Sequence, residues 1–286
     1  MAANRGPTGL RLELGLQLRQ MRENLGLTRK QAVQGLKISD STLQRIETGG
    51  LNFRNVGDLR KLLEKYGVLD DETIDSLVQL NRDSHSQDWL TRYRSHMPPG
   101  MPTFVGVETE ARIIRAYHPT VIYGLLQTEA YARALFDVQK PVEETTSEFI
   151  ARNVELRMAR KQILTGDNPV ELRVILSEAA LRYIVGDPDV VLEQYAELVK
   201  LAAQDHITIQ VLPFGRGYRA TSDFTILDLG EKLPQMVQID TAWGAVSTSD
   251  KLREVGRFRR RFDAMAASAL APEDTPSFLQ RLEREL

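Results

Sequence analysis

The tightest constraint on this chain is the stretch Leu27–Gly49, LTRKQAVQGLKISDSTLQRIETG, which reads as two short helices joined by a tight turn. Thr28 is placed to cap the first helix, and Gln31, three residues on, can reach back to the cap's own N–H. Ala32, Val33 and Leu36 then give that helix one apolar face. Lys37 and Ile38 form the turn, with Ile38 as the apolar plug between the helices. Ser39 caps the second helix, whose Leu43 and Ile46 point inward and leave Asp40, Ser41, Gln44 and Arg45 on the outward face. Gly49 ends it, in the position where helices favour a left-handed residue. A helix anchored on one face, with a polar first turn on the other, can present side chains to base edges in a groove.

The flanks sharpen this. Leu14, Leu18, Met21 and Leu25 recur at i, i+4, i+7 and i+11, which predicts a preceding helix with one apolar stripe. Val56, Leu59, Leu62, Leu63 and Tyr66 predict a closing helix that stops at Gly67. With these flanks, LRQMRENLGLT and LKISDSTLQRIETG resemble the XRE family of phage-repressor-like DNA-binding domains. The resemblance implies a five-helix head on double-stranded DNA. Asp40, Ser41, Gln44 and Arg45 would face base edges, and Thr28, Arg29, Thr42, Thr48 and Asn52 would lie near phosphates. It also implies a structural ion pair between Arg22 and Glu47 beneath the helix junction.

Length and charge give the rest of the chain its expected role. At 286 residues, 42% hydrophobic and 27% charged, the composition is that of a globular protein of two domains. Residues 1–68 hold 12 Lys/Arg against 6 Asp/Glu, so the overall −2 divides into +6 for this part and −8 for residues 69–286. A basic head on an acidic body suits a DNA reader attached to a regulatory domain. The chain has no cysteine, which excludes disulfides and thiolate metal sites. It shows neither a signal-peptide core nor an apolar run of membrane-spanning length, so the expected location is cytoplasmic with no membrane partner.

Punctuation along the chain sets the expected domains. Residues 1–9 read as a flexible arm, 10–68 as the helix-turn-helix head, 69–102 as a helical linker broken by MPPGMP, and 103–286 as an α+β regulatory and dimerisation domain. In that last part a helix is predicted over about 104–117, ended by His118-Pro119, followed by helices at 128–136, 145–164, 177–186 and 190–204. VELRVIL at 170–176 alternates as a strand. ITIQVLPF, DFTILDLG, PQMVQIDT and GAVSTS read as four more strands, most simply an antiparallel meander. The expected class is mainly α with α+β, the body having helices packed on a mainly antiparallel sheet. A terminal stripe of Phe278, Leu279, Leu282 and Leu286 either folds back on its own domain or crosses to a partner copy, with a slight preference for crossing.

GLLQTEAYARAL (124–135), VELRMARKQIL (154–164), SEAALRYIVG (177–186) and QVLPF (210–214), in that order behind the head, resemble the WhiJ-like group of actinomycete regulators. That resemblance implies an antitoxin-like transcriptional regulator with a small protein partner encoded nearby. A homodimer reading a pseudo-palindromic operator is expected because a single head makes few base contacts. Two functions stay open: a DNA-binding regulator whose body dimerises and receives a signal, or a protein that sequesters a small partner and uses DNA binding for autoregulation. Small-molecule sensing is a third.

Catalytic chemistry finds little support. His85, His96, His118 and His206 have no metal-ligand spacing and read as surface or linker histidines, so no metal and no cofactor is expected. Gly215 and Gly217 sit in a strand connection without the strand–glycine–helix context of a phosphate loop. The chain is not expected to be an enzyme. Tyr123, Gln127, Tyr131, Arg157, Arg160, Phe214, Tyr218, Phe224 and Trp243 are candidates for a ligand or partner pocket between sheet and helices, the alternative being ordinary core packing and ion pairs.

Overall fold

A computed structural model describes residues 6–85, 89–231, 233–241 and 246–286. It divides into two compact units: Met1–Arg92 with Pro102–Glu110 and Glu231–Leu233, and Tyr93–Met101 with Ala111–Gly230 and Pro234–Leu286.

In the first unit α1 (Pro7–Asn24) opens with proline at its first position, where the fixed φ suits a helix start and no N–H is missed. Thr8 and Gly9 are buried, so the arm expected over residues 1–9 is helix from Pro7 onward, and residues 1–5 lie outside the described residues. The cause is α6 (Met101–Glu110), which packs on that first turn: Gly6 N–H donates to Glu110 Oε1 at 2.8 Å. A Cβ on Gly106 would stand 2.2 Å from Thr8 Oγ1, so the two helices meet at a glycine.

Then follow α2 (Arg29–Ala32), α3 (Asp40–Glu47), α4 (Val56–Lys65) and α5 (Asp71–Asp83). Leu14, Leu18, Leu43, Ile46, Phe53, Leu59, Leu62 and Leu63 make their common core. Helix α5 adds Leu77 and Val78, and Asn81 brackets Phe53 by accepting its N–H at 2.9 Å and donating to its carbonyl at 3.1 Å. The segment expected as the start of a linker at 69 is therefore the fifth helix of the head.

The second unit is a six-stranded sheet ordered β3-β2-β1-β4-β5-β6. Its strands are β1 (Ile113–His118), β2 (Glu171–Ser177), β3 (Ile207–Leu212), β4 (Phe224–Asp228), β5 (Met236–Asp240) and β6 (Val246–Ser249). The helix expected over 104–117 ends at Glu110; beyond it IIRAYH is an inner strand between β2 and β4. The meander is real only for β4, β5 and β6, which are antiparallel to one another. β3 pairs in parallel with β2, and β2 in parallel with β1, so the sheet is mixed. Parallel pairing needs a long crossover. Here α7 (Glu129–Glu143) and α8 (Ser147–Arg160) supply one, and α9 (Glu178–Arg182) and α10 (Pro188–Ala202) the other.

On one face α11 (Leu252–Ser268) lays Val255, Phe258, Phe262 and Met265 against Tyr117, Phe224, Ile226 and Val237. The last helix, α12 (Thr275–Glu283), buries Phe278, Leu279 and Leu282 within its own unit and anchors Thr275 Oγ1 to the Ile209 carbonyl at 2.7 Å. Those three residues fold back instead of crossing to a second copy; Leu286 stays exposed.

Candidate nucleic-acid interface

The candidate reading helix is α3, and local chemistry sets its ends. Ser39 Oγ accepts from Thr42 N–H at 3.0 Å, completing the N-cap that frees the outer face for other uses. Before it, α2 is a single turn held by a reciprocal capping box: Gln31 N–H donates to Thr28 Oγ1 at 3.3 Å, and Thr28 N–H to Gln31 Oε1 at 2.9 Å. Leu43 and Ile46 are buried, while Asp40, Ser41, Gln44 and Arg45 are exposed. The side chains of Gln44 and Arg45 bond to no described residue, which leaves both open to an external ligand.

Beneath this face lies Arg22. Its Nε donates to Glu47 Oε1 at 2.6 Å and its Nη2 to Glu47 Oε2 at 2.9 Å, while Nη1 reaches the Leu27 carbonyl at 2.9 Å. The pair is buried, and the hydrogen bonds to Glu47 hold the guanidinium pKa above its usual value. It locks the end of α3 to the exit of α1. A Cβ on Gly15 would meet the Ile46 carbonyl at 2.2 Å, so only glycine permits this crossing.

Among the residues expected near phosphates, Thr28 and Arg29 are exposed at the start of α2 and Thr42 is half-buried. Thr48 is exposed too, its hydroxyl donating to the Gln44 carbonyl at 3.0 Å. Asn52 departs from the expectation. Its amide turns inward to the Ser84 carbonyl and hydroxyl, both at 3.3 Å, because α5 closes over it.

The candidate pocket residues of the second unit divide into separate groups. Gln127 is buried at the end of a 3₁₀ turn (Gly124–Leu126), its Oε1 accepting from Arg157 Nη1 at 2.7 Å and its Nε2 donating to the Ile122 carbonyl at 2.6 Å. Tyr123 stacks on His118 with ring centroids 4.8 Å apart. Both guanidiniums lie beside Gly124: a Cβ there would be in ordinary contact with Arg160 Nη1 at 3.6 Å and Arg157 Nε at 3.7 Å. Tyr131 is buried on α7. Phe224, by contrast, is core beneath α11, 5.0 Å from the Phe258 ring. Phe214 and Tyr218 are exposed on the connection from β3 to β4, and Trp243 lies outside the described residues.

Three further groups meet this cluster at one end of the sheet. His118 closes β1, Asp240 closes β5, and Asp223 precedes β4. His118 Nε2 is shielded and unpartnered, and desolvation together with the charges of Arg157 and Arg160 lowers its pKa to about 3. Desolvation and the neighbouring Asp240 raise Asp223 to about 6. Asp240 is raised by desolvation, against the pull of Asp223, Arg160 and Gln238. The carboxyl ends of strands are where open α/β sheets tend to bind ligands, and clustered pKa shifts mark functional sites.

The family described as domain of unknown function, DUF5753, matches residues 101–281. The chain belongs to the DUF5753 family. A helix-turn-helix domain matches residues 13–77, a span that runs into α5 and agrees with a head extending past residue 68. The DUF5753 chain is thus a DNA-binding helix-turn-helix regulator. No curated protein and no solved structure matches it. Among the described residues of this DUF5753 protein, no helix is long and apolar enough to cross a membrane.

Sequence reasoning does not bring His118, Asp223 and Asp240 together. Reading β1 as helix makes His118 a helix breaker, and two aspartates far apart in sequence give no local signal. The available pointer to His118 is its place next to Pro119, since a strand, unlike a helix, can run up to the residue before proline.

Proposed function

We propose that this protein is a sequence-specific transcriptional regulator acting as a homodimer by binding, not by catalysis. One observation carries the reading: Gln44 and Arg45 stand unengaged on an outer face of α3 that Arg22 and Glu47 hold rigid. Two heads on a two-fold axis would read half-sites of a pseudo-palindromic operator about one helical turn, roughly 34 Å, apart. The signal would enter the body where His118, Arg157, Arg160, Asp223 and Asp240 converge. Selection of operators from random duplexes by the intact chain, followed by footprinting, is the test. Two protected half-sites on one face of the duplex are expected; protection of a single half-site would overturn the dimeric reading.

A second reading is an antitoxin-like protein that sequesters a small partner. It draws on exposed apolar side chains near one another on the body: Val138 and Val142 on α7, and Tyr183 and Ile184 after α9, where a Cβ on Gly186 would touch Ala134 of α7 at 2.9 Å. Co-purification of a small neighbour-encoded protein, abolished by Val142→Glu, would favour it.

A further inference from the structure

The acidic body carries one concentrated exception to its charge. Helix α11 holds Arg253, Arg257, Arg259, Arg260 and Arg261 against only Glu254 and Asp263, and Glu254 is taken by Lys251 at 3.2 Å. Residues 69–286 total −8, so a helix of +3 leaves −11 for the remainder. With Val255, Phe258, Phe262 and Met265 fixed on the sheet, Arg253, Arg257 and Arg260 recur at i, i+4 and i+7 on the opposite, exposed side. Arg253, Arg257, Arg259 and Arg260 pair with no carboxylate among the described residues. Charged helix faces in water usually mix signs; this one does not.

A second cluster of guanidiniums flanks the row. Arg115 on β1 stands opposite Arg173 on β2, on the sheet face that α11 covers. Arg115 Nη1 is shielded from solvent and has no hydrogen-bond partner. Burial and the charges of Arg173 and Arg259 lower its pKa, only partly offset by Asp228 and Glu171. Cations gathered in this way are stabilised by an external anion.

We propose that the outer face of α11 is a DNA-contacting surface of the body, which grips the phosphate backbone of double-stranded DNA. At 1.5 Å per residue, Arg253 and Arg257 are about 6 Å apart along the axis and Arg257 and Arg260 about 4.5 Å. Long guanidinium side chains at that spacing can engage successive phosphates, which advance roughly 3.4 Å each along one strand. Gly256 lies between Arg253 and Arg257, and Ala264 is one turn past Arg260, so small residues border the row. In this proposal the contacts of the arginine row are with the phosphates, which carry no sequence information directly. The face lacks the apolar centre that a protein interface requires. Arginine's planar fork matches phosphate. The inference goes beyond the proposed function, because it adds a surface outside the head.

The test uses the intact chain, a random-sequence duplex of about 30 base pairs, and anisotropy titrations from roughly 50 to 200 mM NaCl. In R253Q/R257Q/R260Q the slope of log K against log salt should become shallower by about two units or more, at about 0.9 for each phosphate no longer neutralised. The ranking of operator variants should not change. As a control, R133Q/K140Q/K200Q removes the same charge from elsewhere on the body and should leave the slope near wild type. An unaltered slope in the α11 triple variant, the result if an acidic protein docks there instead, overturns the proposal. So does an equally shallow slope in the control, which would reduce the effect to net charge. A failure of the head reading looks different: there, Arg45→Ala would leave operator ranking untouched while the α11 variant still weakened binding. A wild-type chain that binds no duplex at all defeats both.

Discussion

Arg22 holds Glu47 through two N–H···O bonds of 2.6 and 2.9 Å, joining α1 to the last residue of α3. Breaking one side of a buried pair leaves an unmatched charge, at a cost of about 3–5 kcal/mol against under about 1 for a surface pair. Glu47→Ala should therefore lower the melting temperature of the head and weaken DNA binding in parallel. Thermal denaturation of the variant is the measurement, and an unchanged transition would remove the pair from any role in holding α3.

Arg45 and Arg29 should separate base reading from backbone contact. Arg45→Ala is expected to flatten the preference at one base pair by about 1–3 kcal/mol. Arg29→Ala should weaken every sequence alike and reduce the salt slope by about one unit. Competition titrations against single-base operator variants decide between them; an Arg45 variant with an unaltered base preference would show that the register assumed for α3 is wrong.

His118 should make stability sensitive to acid. Its pKa is about 3 in the folded chain against 6.5 for the free side chain, so the unfolded state takes up the proton first. Its contribution is complete above pH 6.5 and is lost as pH falls toward 3, at up to about 1.4 kcal/mol per pH unit. Asp223 runs the other way. Raised to about 6, it favours the folded state fully below 3.8 and loses that contribution as pH rises through 6. Urea denaturation between these limits should show a shallower acid loss in His118→Gln and a steeper one in Asp223→Asn. Parallel profiles for wild type and both variants would refute the assignment.

Removal of residues 272–286 should destabilise the body itself. Phe278, Leu279 and Leu282 are buried, and each apolar side chain of this size contributes about 1.5–3 kcal/mol. The truncated chain should unfold at clearly lower denaturant concentration, whatever its oligomeric state. A truncation that sedimented differently but melted as wild type would return α12 to the role of a subunit contact.

The helix-turn-helix is legible because its signals are local: Thr28 with Gln31, Ser39 with Thr42, and the apolar pair Leu43 and Ile46 all act within one or two turns. The same local reading goes astray where pairing across the sheet decides the outcome. Ile113–His118 carries no turn signal before it and passes for the end of a helix until Leu172, Val174 and Phe224 are alongside. Likewise ITIQVL looks like the first strand of a meander, but its ladder partner, β2, lies thirty or more residues earlier in the chain. The candidate pocket suffers from the same limit. Gln127 and Arg157 stand among the candidates but are paired only by the fold, and Asp223 and Asp240 meet only because β4 and β5 turn back on each other.

Helix α6 changes what counts as a transplantable part. It opens the segment that matches the DUF5753 family, yet it packs in the first unit, where Glu110 receives the Gly6 N–H and Thr8 closes on Gly106. The border drawn by family resemblance and the border drawn by packing thus differ by one helix. A head excised at residue 92 would expose the first turns of α1 to water, and a chimera that kept the head but exchanged the body at residue 101 would do the same. Head and body are therefore not free cassettes at residue 101: a replacement body must bring a helix that fits the Gly6–Gly9 notch.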